Sequence, residues 1–227
     1  MVSDYLHQLI YGYYPYLAGT VFLLGSLLRF DHGQYTWKTG SSQMLSSKNM
    51  RLASNLFHIG IITIFFGHLV GLLTPHWVYA PFMSAGTKQI IAIVVGGIAG
   101  VMCLVGGAML AYRRLTNARV RASSSPMDTF MILLLVVQVS LGLLTIIPAM
   151  NHLDGGVMIQ LAHWAQAVVF FQGGAASYLE GVGFIYKLHI LVGLTIILVF
   201  PFTRLVHVWS APFSYLTRRY QLVRKRG

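Results

Sequence analysis

Four histidines are the residues whose chemistry this chain cannot hide. His58 and His68 lie ten residues apart in one long apolar run, and His189 and His207 lie eighteen apart in another. An ionisable side chain inside an apolar segment is costly to bury and generally has a partner and a task. One such histidine is as readily a satisfied hydrogen-bonder as a ligand. Two on each of two runs is a more specific pattern. Neutral imidazole is a good ligand for iron. Two imidazoles from facing helices fill both axial positions of a haem, which leaves no open site for oxygen and suits electron transfer. Five further histidines, His7, His32, His76, His152 and His163, fall in loops or at run ends and are assigned no role.

The elements that must position these side chains are read from hydropathy and charge. The chain is 56% hydrophobic and 9% charged, against roughly 25% charged in a soluble domain. Five runs approach or exceed the ~18 residues that cross a bilayer core: about 13–28, 52–73, 89–112, 129–147 and 184–209. Pro15, Pro75, Pro148 and Pro212 stand near their limits. The expected fold is an all-α membrane protein, a bundle of five transmembrane helices in a single domain over 1–227, with a basic cytoplasmic tail at 210–227. The first run lacks a basic leader region and a clear cleavage site, so it is expected to stay as a helix. The fourth loop carries a short apolar helix near 157–171, read as a cap lying at the interface.

Charge sets the orientation. Arg29, Lys38, Lys48 and Arg51 flank the first loop, and Arg113, Arg114, Arg119 and Arg121 the third. Arg204, Arg218, Arg219, Arg224, Lys225 and Arg226 follow the fifth run. Strict alternation leaves only Lys88 and Lys187 on the other side. By the positive-inside rule the N-terminus is outside and the C-terminus cytoplasmic. The net charge of +11 is therefore topology, and nucleic acid is not expected as a partner. The single cysteine, Cys103, excludes an internal disulfide framework, a Cys-x-x-Cys-His haem attachment and an all-cysteine iron–sulfur cluster. It is read as a small packing residue.

This orientation sorts the histidines. The second helix runs inside to outside and the fifth outside to inside, so His58 pairs with His207 near the cytoplasm and His68 with His189 near the outside. On a continuous α-helix eighteen residues are about five whole turns, so His189 and His207 face one way. The rises differ, about 15 Å on the second helix and about 27 Å on the fifth, and tilted helices, tilted haem planes or a bend at Pro201 must absorb the mismatch. Gly60, Gly67, Gly71 and Gly193 either admit a porphyrin close to the backbone or serve helix packing. Gly96, Gly97, Gly100, Gly106 and Gly107 are read as packing positions. Lys88 opposes both the positive-inside bias and the helix dipole. It either meets a polar ligand oxygen or snorkels to the headgroups.

The stretches YYPYLAGTVFLLGSLLRFDHGQYTW, SSQML, LASNLFHIGIITIFFGHLVGLLTPHW and KLHILVGLTIILVFPFTRLVHVWSAPFSYLTRRYQLVR closely resemble the cytochrome b (gamma) subunit of respiratory membrane-bound nitrate reductase, over nearly the whole chain. The resemblance implies two haem b groups (protohaem IX), the inner on His58 and His207 and the outer on His68 and His189. It implies a quinol site near the outer haem at Lys88 and Gly67. Menaquinol or ubiquinol would be oxidised there with protons released outside, contributing to a proton motive force. Electrons would pass from outer to inner haem, then to an iron–sulfur subunit and a molybdenum catalytic subunit that reduces nitrate in the cytoplasm. The implied location is the bacterial cytoplasmic (inner) membrane. The tail then docks those partners, or binds anionic lipid. Arg204 pairs a haem propionate or snorkels, and Lys187 is an interfacial anchor. Two alternatives stay open: a quinone-coupled cytochrome b anchor of another reductase, and a haem-free proton carrier or anchor.

Overall fold

Long apolar runs with few breakers must satisfy their backbone internally, and among the described residues the chain is helical throughout, with no strand. The computed structural model describes residues 2–37, 45 and 49–210. Helix α1 (Val2–Gln8) passes through a π-turn at Leu9–Tyr13 into α2 (Tyr14–His32), with Pro15 in the first turn, where its missing N–H costs little. Then come α3 (Met50–Leu73), the single turn α4 (His76–Tyr79) and α5 (Ala85–Thr116). The short α6 (Ala118–Ala122), α7 (Pro126–Met150), α8 (Gly156–Val169) and α9 (Phe184–Val199) follow. Ser84 caps α5 through its side chain, and Ser125 with Asp128 forms a reciprocal capping box on α7.

Four of these stretches are long and apolar enough to cross a membrane: α3, α5, α7 and Phe184–Phe202. The first expected span, α2, is diluted by Tyr14, Pro15 and Tyr16 at one end and Arg29, Asp31 and His32 at the other. It nonetheless lies along α9 in parallel. The Tyr14 hydroxyl meets Thr195 Oγ1 at 3.0 Å, and fifteen residues on Arg29 reaches Pro201 and Thr203. Successive neighbours α3, α5, α7 and α9 pack antiparallel. Gly60 and Gly106 bring α3 onto α5, Gly100 seats Leu143 of α7, and Gly142 seats His189 of α9. The contact order is thus α3–α5–α7–α9–α2, with little direct contact between α3 and α9. Across the end where α3 stops and α5 and α9 start lies α8. Its Trp164 donates to the Tyr11 carbonyl at 3.0 Å and its Gln166 to the Leu72 carbonyl at 2.9 Å. The expected cap is there.

Two expected boundaries are corrected. The fourth helix does not stop before Pro148 but carries it to Met150, and so near the helix end the ring removes only one hydrogen bond. The fifth helix does not run to 209. Its α-helical part ends at Val199, tightens into a 3-10 turn at Phe200–Phe202, breaks at the extended Thr203, and resumes as 3-10 over Arg204–Ser210. Pro201 has no N–H to give and its ring collides with the carbonyl four residues back. The five-turn argument for His189 and His207 therefore fails.

Candidate functional site

Three of the four histidines make the same local bond. His58 Nδ1 lies 2.7 Å from the Ser54 carbonyl, His68 Nδ1 2.9 Å from the Ile64 carbonyl and His207 Nδ1 2.6 Å from the Arg204 carbonyl. A carbonyl oxygen only accepts, so each Nδ1 carries the proton and each Nε2 keeps a free lone pair. Orientation of this kind is how proteins present a histidine to a metal. The fourth, His189, is half-buried against α7. Its ring fills the space where a Cβ at Gly142 would stand 3.0 Å from Cε1.

The outer pair is assembled. The His68 and His189 rings face one another with centroids 6.1 Å apart, across the gap between α3 and α9. Metal–imidazole bonds of ~2 Å, with ring centres about 1 Å behind the nitrogens, put two rings sharing one metal about 6 Å apart. Among the described residues no cluster of three His, Cys, Asp or Glu exists to hold a metal by protein ligands alone. Two imidazoles without further protein ligands match a metal whose other four positions come from a macrocycle. The α3 surface beside this pair is open: a Cβ at Gly67 or Gly71 would meet nothing within 4 Å. His68 and His189 would fit a haem held between them at this end.

The inner pair shares the opposite end of the bundle, but among the described residues no ring contact joins His58 and His207. Clamps from two helices hold the segment that carries His207. Arg29 of α2 donates to the Pro201 and Thr203 carbonyls at 2.5 and 2.7 Å, taking acceptors that the proline break sets loose. Arg204 sends a two-pronged bond to Asp128 at 2.5 and 2.6 Å. The fork of the Arg204 guanidinium is thus engaged by a carboxylate of α7, a partner the sequence reading did not name.

Lys88 does not snorkel. Its Nζ is buried 3.9 Å from the centroid of the Tyr79 ring, with no hydrogen-bond partner among the described residues. Burial raises the Tyr79 phenol above its ordinary value, so the ring stays neutral beneath the cation. A cation over an aromatic face is attracted to it but still lacks acceptors for its protons. His68 lies five residues before α3 ends and Lys88 three after α5 begins, so the hairpin through α4 holds them, with Gly67, at one end of the bundle.

A sequence model described as nitrate reductase gamma subunit matches residues 7–226. The chain is 56% identical over 223 residues to the respiratory nitrate reductase 2 gamma chain of Escherichia coli K12, covering 98% of this chain and 99% of that one. It is 54% identical, with the same coverage, to the respiratory nitrate reductase 1 gamma chain of that strain. Identity to the nitrate reductase gamma chain of Bacillus subtilis 168 is 36%, covering 97% and 99%. The chain belongs to the nitrate reductase gamma subunit family.

Membership in the gamma-subunit family makes the protein one chain of a multisubunit oxidoreductase, and its four long apolar helices mark it as a multi-pass membrane protein. The glycines divide unevenly. Gly60, one of the possible porphyrin positions, is a packing residue against Ala99 and Cys103, and Gly193 packs on Gln138. Gly96, read as packing, faces open space, while Gly97, Gly100, Gly106 and Gly107 pack as expected. Cys103 is buried and free. The basic tail beyond Ser210 lies outside the described residues. Asp128, Arg29 and Tyr79 were not singled out from sequence. The Ser125-x-x-Asp128 capping signature was legible there, but its arginine partner was not.

Proposed function

We propose that this chain is the dihaem cytochrome b subunit of a respiratory nitrate reductase. In this reading it oxidises quinol near its outer face and delivers electrons to iron–sulfur and molybdenum subunits in the cytoplasm. His68 and His189 would hold the outer haem b, and His58 and His207 the inner one. When bound, the haems supply one-electron redox steps between the two faces of the membrane. The protein's own contribution is positional. Carbonyls fix the tautomers of His58, His68 and His207, so each offers Nε2 without reorganising. Lys88, with protons to donate and no acceptor among the described residues, would bind a quinol oxygen, and the bare α3 surface at Gly67 would let the ring lie close. The chain would be a single domain of five spans in the bacterial cytoplasmic membrane, its N-terminus outside and its basic tail on the partner side.

The observation that carries the reading is the facing of the His68 and His189 rings at a separation that accepts one shared metal. The test is a dithionite-reduced minus oxidised spectrum of the chain matured in a haem-competent host, with haem counted per polypeptide. Two low-spin b-type haems are expected in the parent, and one each in His189→Ala and His58→Ala. A colourless parent, or His189→Ala with an unchanged haem count, defeats the proposal.

A further inference from the structure

We infer that Asp128 is a positioning residue for the inner haem ligand and acts on His207 through Arg204; this rests on the reading of His207 as that ligand. The chain of contacts is short. Asp128 sits at the start of α7 with its side chain only 7% exposed. One oxygen accepts the Ser125 backbone N–H at 2.8 Å, closing the capping box. Both oxygens accept from Arg204, whose own carbonyl accepts the Nδ1 proton of His207 at 2.6 Å. Arg114, at the end of α5, brings a second cation 3.7 Å from the same carboxylate.

The need for such a device follows from the break at Pro201. His207 follows an extended residue and sits in a 3-10 turn, where hydrogen bonds are poorer than in an α-helix and runs are short. Local backbone alone is a weak holder for an axial ligand. A bidentate arginine–carboxylate pair supplies fixed geometry as well as attraction. It pins the residue whose carbonyl sets the tautomer of His207. His189, on regular α-helix, has no tie to this pair, so the effect is confined to one end of the molecule.

The experiment uses the full chain in membranes of a haem-competent host, with Asp128→Asn and Arg204→Lys as variants and His207→Ala as the reference spectrum for a chain without its inner haem. Asparagine can keep the cap while losing the charge, and lysine keeps the charge while losing the fork. The expected result in both variants is inner-haem retention about 10- to 100-fold weaker, as for other losses of support behind a ligand histidine. A shift of the inner low-spin signal would accompany it, with the outer haem at parental level. Parental content, spectrum and potential for both haems in both variants overturns the inference. Equal loss of both haems in both variants also overturns it, because Asp128 would then serve the bundle and not the ligand. A parent without haem would instead sink the functional reading beneath it.

Discussion

An imidazole that donates its Nδ1 proton to a carbonyl has only Nε2 left to offer, and that choice is made at His58, His68 and His207 by the backbone of their own helices. Lys88 is the complementary case, a buried donor with nothing among the described residues to receive its protons. Charged hydrogen bonds are worth about 1.5–3 kcal/mol, so replacing Lys88 with Ala is expected to lower quinol-oxidation kcat/KM by one to two orders of magnitude. Haem content should not change. Steady-state oxidation of a soluble quinol analogue by membranes, beside a haem count, checks this, and unchanged kinetics would leave Lys88 a structural residue. The four histidines were legible in sequence because membrane segments carry few ionisable groups, and each one there needs a reason. The ion pair of Arg204 was not legible, for the converse reason. Its partner Asp128 lies 76 residues away and only the fold brings them together.

At the scale of elements, the glycines separate helix packing from open surface. A Cβ at Gly60 would fall 2.6 Å from the Ala99 carbonyl oxygen, and one at Gly106 would collide with the backbone of Phe57. Neither obstacle is a flexible side-chain end, so the helices must part. Overpacking of this kind costs about 1–3 kcal/mol. Gly106→Ala is therefore expected to lower the thermal unfolding midpoint in detergent, whereas Gly71→Ala, with nothing within 4 Å, should leave the apo-protein midpoint in place. Equal midpoints in the two variants would mean the α3–α5 contact is looser than described. The helices themselves were readable from hydropathy to within a few residues for α3. The end of α9 was not, because hydropathy continues through Pro201 while the hydrogen-bond ladder does not.

For the whole molecule the decisive feature is which charges share an end. Contacts gather Arg29, Arg114, Asp128 and Arg204 at one end of the bundle, while Lys88 and the α8 cap lie at the other. The parallel run of α2 with α9 is what the proposed five-span reading expects, since a first and a fifth alternating span would cross in the same sense. The grouping of charges by end was legible in sequence because arginine and lysine counts act loop by loop, with no need of tertiary detail. The orientation is testable without the cofactors. Single cysteines placed at Asn117 and at His152, in a chain with Cys103→Ala, sit in the connections on opposite ends of α7. A membrane-impermeant maleimide added to intact cells should label the cysteine at 152 and reach the one at 117 only after the membrane is opened. The reverse pattern would invert the molecule, put the histidine pair at His68 and His189 on the cytoplasmic side, and remove the release of protons outside from the proposed function. Labelling of both sites in sealed cells would mean that α7 does not cross the membrane at all.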